Sequence, residues 1–420
     1  MRLNPQAAFD LSGFARLNGP AGAPVAVALS GGGDSVALLH AARRWADGAG
    51  RRLIALTVDH GLSDRSAAWA KIACERAAAL GVPARVLRWK GEKPAAGLQA
   101  KARSARHRLL AAAAREAGAR VILLGHTADD VRECALMRAA GASVPSPRPW
   151  SPSPVWPDGR GVFLLRPLLW SRRAALRQAL GALGEAWIED PANDDDRFAR
   201  TRARRRLAEG GADAQDGAPE SDGPPTAPVC GLSEVAEGAG GELEAPRELF
   251  RGAGARALLG ALCLCAAGGE RPPRGEAAER LLARLAGPQD LTACLAGARI
   301  EARGGRVRFC REPGELVRVG LEPAPVALGL SVFDGRFELA CTALGWRVRP
   351  VRGIASRLAR PERERLAALA PAVRAAAPAA IRGDETRLLL FDEDGPVRAR
   401  PLSRMRLLAA LGGVDDEASL

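Results

Sequence analysis

Short apolar runs alternate with longer amphipathic stretches along the first third of the chain. The runs have the length and composition of buried parallel strands, and they lie at 25–29, 52–58, 84–89 and 121–125. The amphipathic stretches predict helices at 36–46, 64–80, 98–117 and 128–139. Strands separated by helices of this length imply right-handed βαβ crossovers. We therefore predict an α/β fold with a doubly wound, mostly parallel sheet, in which ligands bind at the carboxyl ends of the strands.

Outside these runs the pattern is less regular. A helix is predicted at 7–17 and another from Arg172 to Leu183. The segment 145–160 is rich in Pro, Ser and Trp, which predicts a loop without helix or strand. The Gly, Ala, Asp, Glu, Pro and Ser composition of 209–245 predicts a flexible linker. Residues 1–208 are accordingly predicted to form the first domain.

Two small domains are predicted beyond the linker. An α-rich domain at 246–315 combines helices near 246–267 and 274–286 with a strand pair at 298–302 and 306–310, turned by two glycines. An α+β domain at 316–420 combines one helix with four strand-like pieces: VRVGL (317–321), FELAC (337–341), WRVRPV (346–351) and RLLLF (387–391).

The amino-acid composition is strongly basic, which bears on the kind of partner that the protein binds. The 420 residues are 47% hydrophobic, enough to bury the cores of two or three domains. The net charge of +13 is carried almost wholly by arginine, since lysine occurs only at 71, 90, 93 and 101. Such a balance favours a polyanionic partner such as nucleic acid, although a general preference for arginine explains it equally well.

Cysteine usage and hydropathy indicate the cellular compartment in which the protein is expected to act. The eight cysteines contain no CxxC pair and no Cys/His grouping at zinc-ligand spacing, which is typical of reduced thiols in a cytoplasmic protein. The N-terminus has no apolar signal core, and the longest apolar run, 257–267, is too short to span a bilayer. We expect no membrane association.

The first apolar run leads into a glycine-rich turn directly before a helix: Ser30, Gly31, Gly32, Gly33, Asp34 and Ser35. Glycines let backbone N–H groups approach an anion, and the two serines and the helix N-terminus add further donors. A carboxylate beside phosphates requires a bridging cation, so Asp34 is a candidate Mg²⁺ ligand. The string lacks the endings of a Walker loop and of a dinucleotide fingerprint. The alternative is a glycine turn that binds nothing.

A second polar turn, Gly125-His126-Thr127-Ala128-Asp129-Asp130, follows the fourth strand. On a helix Asp129, Asp130 and Glu133 crowd one face, which is costly unless a cation or an ammonium ligand lies among them. The alternative interpretation of this turn is that His126 or Thr127 caps the helix.

Two groups of arginines have candidate anion-binding roles. Arg103 and Arg106 are three residues apart and share a helix face. Five arginines fall within seven residues of a later helix: Arg200, Arg202, Arg204, Arg205 and Arg206. Phosphate-backbone contact and a solvated basic face are both compatible with such a run.

Taken in order, these pieces resemble one family of PP-loop ATP pyrophosphatases, the tRNA(Ile)-lysidine synthetases. The similarity covers about the first half of the chain in six blocks: SGGGDS (30–35), VDHGL (58–62) with Ser66, GLQAKARSAR (97–106), GHTADDVRECALMR (125–138), RPLL (166–169) and WIEDPANDDDRFARTRAR (187–204). The last two blocks are the most specific to this family.

The resemblance implies an ATP- and Mg²⁺-dependent modification of the wobble cytidine in the CAU anticodon of tRNA(Ile). Cytosine O2 is adenylated with release of pyrophosphate, and L-lysine then displaces AMP to give lysidine. It implies that the glycine loop holds the pyrophosphate, that Asp34 positions Mg²⁺, and that Asp130 and Glu133 recognise lysine. It also implies that His126, Arg103 and Arg106 lie near the phosphates and that the arginines at 200–206 hold tRNA.

The chain departs from the family pattern at several positions. The family usually has Glu where this chain has Gln99, Tyr at His107, Gln at Val131, Thr at Cys134, and an Arg-Gly-Ser-Gly turn at 140–143. The alternatives are another PP-loop tRNA-modifying enzyme or a non-catalytic RNA-binding protein on a decayed scaffold. The sequence leaves the oligomeric state open, with a homodimer among the alternatives.

Overall fold

The fold is taken from a computed structural model of the full chain. The structure describes residues 9–20, 22–91, 93–94, 96–142, 144–189, 199–209, 231–320, 322–392 and 394–420. The chain divides into two compact units, of which the first is Met1–Pro224 with Val414–Leu420 and the second is Pro225–Gly413.

A six-stranded sheet forms the centre of the first unit, with the strand order β3-β2-β1-β4-β6-β5. All neighbouring strands are parallel except β5 and β6. This confirms the predicted doubly wound, mostly parallel sheet. The strands are β1 (Val25–Ala28), β2 (Leu53–Asp59), β3 (Ala84–Arg88), β4 (Val121–Leu123), β5 (Trp150–Pro152) and β6 (Phe163–Leu165).

Among the described residues, six helices accompany this sheet. They are α1 (Gly33–Ala49), α2 (Ser66–Ala79), α3 (Leu98–Glu116), α4 (Ala128–Ala139), α5 (Arg173–Ala182) and α6 (Ala199–Glu209). The apolar residues of β1 and β4 pack in two separate clusters, since Val25 and Val27 face one side of the sheet and Ala26 faces the other. Because both faces are covered by apolar contacts, the carboxyl edge of the strands is left as the place where polar side chains collect.

Two predictions for the first unit are corrected. The segment 145–160 is not wholly loop, because Trp150–Pro152 forms the antiparallel edge strand β5 and Trp150 stacks on Phe163 of β6 with ring centroids 5.0 Å apart. Proline is tolerated in an edge strand, which needs no second set of hydrogen bonds. The helix predicted at 7–17 is reduced to a single 3₁₀ turn, Ser12–Phe14, within the described residues.

The second unit contains three antiparallel sheets, with the strand orders β7-β8-β11-β10-β9, β12-β15-β16-β17 and β13-β14-β18. Its strands are β7 (Ala236–Glu237), β8 (Leu243–Pro246), β9 (Leu291–Leu295), β10 (Ala298–Arg303), β11 (Arg306–Arg311), β12 (Ala324–Pro325), β13 (Gly329–Phe333), β14 (Phe337–Cys341), β15 (Arg347–Pro350), β16 (Pro378–Arg382), β17 (Glu385–Leu388) and β18 (Val397–Pro401). Its helices are α7 (Ala255–Ala267), α8 (Glu276–Ala286), α9 (Pro313–Val319), α10 (Arg360–Ala368), α11 (Pro371–Arg374) and α12 (Ser403–Ala410).

The structure changes the predicted organisation of this second half. Residues 210–230 of the predicted linker lie outside the described residues, but 231–245 carries β7 and most of β8, whose pairing with β11 makes it part of a sheet. The predicted division into domains 246–315 and 316–420 is replaced by one compact unit, and the last seven residues belong to the first unit. Polar composition at 231–245 misled the prediction because it carries no information about strand pairing.

Local signals explain the remaining differences. VRVGL alternates like a strand but its first three residues lie in α9, because Pro313 occupies the first turn and the Glu312 carboxylate accepts a hydrogen bond from the Gly314 N–H at 3.2 Å. The last hundred residues contain three helices, α10 to α12, where one was predicted. None of the helices among the described residues is both long enough and apolar enough to cross a membrane.

One residue near the C-terminus of the chain forms a buried ion pair within the first unit. Arg51, just before β2, makes two parallel hydrogen bonds of 2.7 and 3.0 Å to the carboxylate of Glu417, and both side chains are at most 5% exposed. The Gly19 N–H also donates to this carboxylate at 3.1 Å. A pair of this geometry leaves neither charge unsatisfied.

Replacing Glu417 with Gln is expected to lower the free energy of unfolding of the first unit by about 3–5 kcal/mol, because Arg51 would be left buried without a counter-charge. Urea unfolding followed by circular dichroism measures the loss. Glu116→Gln is the matched control, since its partner Arg85 is 45% exposed and an exposed pair contributes at most about 1 kcal/mol. Equal midpoints for the two variants would contradict the structural role of Glu417.

Candidate active site

The glycine-rich turn between β1 and α1 has a close-packed backbone. Gly31 has a φ of +87°, which favours glycine, and a Cβ there would lie 2.5 Å from the Ile188 side chain. The Gly31 carbonyl accepts a hydrogen bond from the Ile188 N–H at 2.9 Å. A Cβ on Gly125 would lie 2.9 Å from the Asp34 carbonyl, so the turn after β4 also approaches the start of α1 closely. The geometry therefore requires glycine at both positions.

Ser35 holds this turn together from within. Its hydroxyl donates to the Gly32 carbonyl at 2.9 Å and accepts from the Gly31 N–H at 3.1 Å and the Ser30 N–H at 3.2 Å. Ser30 is exposed and lines the cavity beside the turn, whereas Ser35 is 8% exposed. The hydroxyl proton of Ser35 is thus committed to the loop itself, and the Ser30 hydroxyl donates to Ser35 at 3.1 Å. Of the predicted anion donors, this leaves the backbone N–H groups of Gly32 and Gly33 at the start of α1.

Four carboxylates meet at the neighbouring edge of the sheet, and all of them line the cavity: Asp34, Asp129, Asp130 and Glu133. Glu133 is fully buried and Asp130 is 4% exposed. The Thr127 backbone N–H donates to Asp130 at 2.7 Å, so the predicted capping interpretation is confirmed for Thr127. Asp130 uses one oxygen for this cap and leaves the other for a cation.

Guanidinium groups from two helices neutralise these carboxylates. Arg173 at the start of α5 contacts three of them: Asp34 at 3.0 Å, Glu133 at 3.1 Å and Asp130 at 3.5 Å. Burial opposes the charge of Arg173, but Asp34, Glu133 and Asp130 outweigh it and raise its pKa. The α5 helix is also fixed to α4 by the Arg173 N–H, which donates to Asp129 at 2.7 Å.

Arg200 and Arg204 reach the same carboxylates from α6. Arg200 lies 2.7 Å from Glu133 and also contacts Asp130, and Arg204 lies 2.8 Å from Glu133. Two of the five arginines predicted to bind RNA therefore face the acidic cluster. The other three, Arg202, Arg205 and Arg206, are exposed.

One side of the cavity is cationic. Arg103 and Arg106 on α3 line it together with His126, and the Arg106 Nε is buried without a hydrogen-bond partner among the described residues. Burial, Arg103 and Arg200 lower the pKa of Arg106 to about 10, so it stays charged at neutral pH. Buried cationic donors without a carboxylate partner form a site suited to an anion such as phosphate.

All of the predicted catalytic and loop residues line one cavity of 1810 Å³, apart from Gly31: Ser30, Gly32, Gly33, Asp34, Ser35, Arg103, His126, Asp130 and Glu133. The predicted set did not include Arg166 and Arg173. Arg166 follows β6 directly and Arg173 begins α5. Their position at the carboxyl edge of the sheet is the feature of the sequence from which a role in the site could have been predicted.

The chain is similar to a family of known proteins. A family model described as a PP-loop domain matches residues 13–210. The chain is 46% identical over 411 residues to the tRNA(Ile)-lysidine synthase of Caulobacter vibrioides, covering 96% of this chain and 97% of that protein.

Two further relatives carry the same name. The tRNA(Ile)-lysidine synthase of Hyphomonas neptunium is 40% identical over 334 residues, covering 73% of this chain and 86% of the relative. That of Ruegeria pomeroyi is 36% identical over 347 residues, covering 74% of this chain and 75% of the relative. Similarity at this level extends well beyond the six blocks of the first half.

His107, one of the departures from the family pattern, is expected to make the protein acid-sensitive. It is 2% exposed, and burial together with Arg106 and Arg103 lowers its pKa to about 3. Between that value and the unfolded value of about 6.5, the unfolded state binds the extra proton, so stability falls as the pH falls.

Lowering the pH from 7 to 5 should reduce the free energy of unfolding of the wild type by about 2 kcal/mol more than it reduces that of the His107→Gln variant. Urea unfolding at both pH values measures this difference. An equal loss in the two proteins would show that His107 does not titrate on unfolding.

Proposed function

Because the chain belongs to the tRNA(Ile)-lysidine synthase family, we propose that it ligates L-lysine to C2 of the wobble cytidine in the CAU anticodon of tRNA(Ile). The reaction uses ATP, passes through an adenylated cytidine and yields lysidine, AMP and pyrophosphate. A tRNA substrate is consistent with a cytoplasmic site of action. The observation that carries the proposal is one cavity that combines a phosphate-sized glycine loop, a cationic side and a buried acid pair.

The loop and the cationic side suit the first chemical step. Cytosine O2 attacks the α-phosphate of ATP, and the bond to the leaving pyrophosphate breaks. Backbone N–H groups of Gly32 and Gly33 at the N-terminus of α1 would hold phosphate oxygens. Arg103, Arg106 and His126 would donate to the negative charge that develops in the transition state.

Asp34 is the residue that fits a Mg²⁺ ion. Among the described residues, no three or more His, Cys, Asp or Glu side chains are arranged so that they could hold a metal ion by themselves. Mg²⁺, however, is often bound by one or two carboxylates together with substrate phosphates. Asp34 lies at the start of α1 beside the loop, and burial raises its pKa while Arg173 opposes that rise. A bound Mg²⁺ would neutralise phosphate charge, and Arg173 would then release Asp34.

The acid pair suits the second step, in which the lysine side-chain amine attacks C2 and AMP leaves. Asp130 and Glu133 would bind an ammonium group of lysine in place of a guanidinium that they now contact. The exchange conserves charge, since one cation replaces another on the same carboxylates. The fully buried Glu133 would thus have a cationic partner both before and after the substrate arrives.

The exposed arginines of α6 are proposed to contact the tRNA backbone. Arg202, Arg205 and Arg206 are exposed and therefore accessible to phosphates. Arg200 and Arg204 lie on the same helix as these three residues. Binding of tRNA to α6 would therefore act on the helix that supplies two of the guanidiniums held by the acid pair.

Pyrophosphate release from ATP tests the proposal, measured with purified protein, unmodified tRNA(Ile) bearing CAU and each amino acid in turn. Release should require the tRNA, and radiolabel should enter the tRNA only from lysine. Tight tRNA binding without release under any combination would contradict the proposed reaction.

Asp34→Asn is expected to reduce pyrophosphate release at least about 100-fold, because it removes the charge that would hold Mg²⁺ at the phosphates. The affinity for tRNA should change by less than about twofold, since Asp34 lies inside the cavity. Asp158→Asn is the matched control, because Asp158 is half exposed and pairs with Arg108 outside the cavity. Wild-type release by Asp34→Asn would refute its assigned role.

Glu133→Gln is expected to raise the KM for lysine by about 10- to 100-fold, since a charged hydrogen bond contributes about 1.5–3 kcal/mol. Adenylation in the absence of lysine should be retained, which a single-turnover assay of pyrophosphate release measures. A lost first step with an unchanged lysine KM would place Glu133 at the phosphates instead.

A further inference from the structure

Arg166 is buried at the carboxyl end of β6 and is held by several acceptors. Its side chain is 7% exposed. One NH group donates to the Arg148 carbonyl at 2.6 Å and to the Ser151 hydroxyl at 3.1 Å. Its backbone N–H donates to the Pro149 carbonyl at 2.9 Å. The edge strand β5 and the segment before it thus fix this guanidinium in one orientation.

The Nε–H donor of Arg166 is directed at the candidate site. Because β4 and β6 are parallel neighbours, with Leu123 opposite Leu165, the residues that follow the two strands lie side by side. The Arg166 Nε lies 2.9 Å from the Nδ1 of His126, which lies three residues after the end of β4 and lines the cavity. The contact therefore joins a buried residue that does not line the cavity to one that does.

The chemistry of this contact defines the state of the imidazole. Arginine has only donors and stays protonated, so the Nδ1 of His126 must be the acceptor. A neutral imidazole with an accepting Nδ1 carries its proton on Nε2. We propose that Arg166 is a positioning residue that fixes His126 as the neutral Nε2–H tautomer, so that His126 presents a hydrogen-bond donor to the cavity.

The surrounding charges support the neutral form. The charged groups that act most strongly on His126 are cationic: Arg166 after β6, Arg103 and Arg106 on α3, and Arg200 on α6. Burial and these guanidiniums lower the pKa of His126 well below its ordinary value. An imidazolium would add a further cation to this side, whereas the Nε2–H tautomer supplies a donor without adding charge.

The catalytic consequence rests on the proposed function. His126 lines the cavity with Arg103, Arg106 and the glycine loop, so its Nε2–H would donate to a phosphate oxygen during adenylation. The other tautomer would direct a lone pair at that oxygen and repel it. His126 would then act as a fixed donor and not as a general acid or base, because Nδ1 is occupied and no second proton is gained at neutral pH.

Histidine-selective ¹⁵N labelling tests the tautomer directly in the free protein, which has only four histidines. The His126 signal is assigned from its loss in His126→Asn. At pH 7 the wild type should show an unprotonated Nδ1 and a protonated Nε2, with no titration between pH 8 and about pH 5.5. A protonated Nδ1, or an imidazolium at pH 7, would overturn the proposal.

Arg166→Met tests the positioning role, with Arg160→Met as the matched control in the same segment. The variant should populate the Nδ1–H form or titrate between pH 8 and 5.5, and its kcat for pyrophosphate release should fall about tenfold or more while the KM for ATP changes by less than about threefold. Unaltered signals of His40 and His60, whose pKa values are set by burial and by charged groups other than Arg166, would show that the fold is kept. A wild-type tautomer or a wild-type kcat in Arg166→Met would overturn the proposal.

The spectrum separates this inference from the proposed function. The wild-type measurement needs no substrate and remains decisive if Arg166→Met does not fold. An Nε2–H tautomer in a protein that releases no pyrophosphate would refute the reaction and leave the assignment of Arg166 intact. A different tautomer in an active enzyme would refute the assignment alone.

Discussion

A fully buried carboxylate needs a cation, and this requirement organises the first unit of the protein. Glu133 has no exposed surface and is contacted by three guanidiniums, from Arg173, Arg200 and Arg204. An unpaired carboxylate in that position would cost several kcal/mol. The start of α5, through Arg173, and the helix α6, through Arg200 and Arg204, are thereby held against α4. All three helices meet where the parallel strands end. The position of the helices and the charge of the cavity are thus set by the same contacts.

The cavity is divided by charge, and each side matches a different reactant. Arg103 and Arg106 provide cationic donors without carboxylate partners, which suits the phosphates of a nucleotide. Asp130 and Glu133 provide anionic acceptors whose present partners are side chains of the protein itself. The glycine loop lies at the start of α1, where Arg173 joins Asp34 to the acid pair. A reaction that activates with ATP and then takes up an amine requires both sides within one enclosure.

Much of this arrangement follows from local sequence. The parallel strands β1 to β4 and the helices α1 to α5 were predicted to within a few residues, because apolar runs and amphipathic stretches report burial directly. The short parallel strand β6 was not predicted. The clustering of Asp130 and Glu133 followed from helical spacing. Arg166 and Arg173 lie at the carboxyl edge of the sheet, but local sequence does not show what they contact. Arg166 contacts His126, which follows a neighbouring strand, and Arg173 contacts Asp34, 139 residues away in the chain. The strand β5 and the contact of Glu417 with Arg51 depend likewise on long-range pairing.

The central claim is that the guanidiniums on the acid pair can be exchanged for a substrate ammonium. Equilibrium dialysis of radiolabelled lysine against the protein without tRNA tests it most directly, comparing the wild type with Arg200→Gln and using Arg108→Gln as a control for lost charge. If Arg200 competes with lysine for Asp130 and Glu133, Arg200→Gln should bind lysine about tenfold more tightly than the wild type, which corresponds to about 1.4 kcal/mol. Equal or weaker lysine binding by Arg200→Gln would contradict the exchange and leave the acid pair as a purely structural anchor for α6.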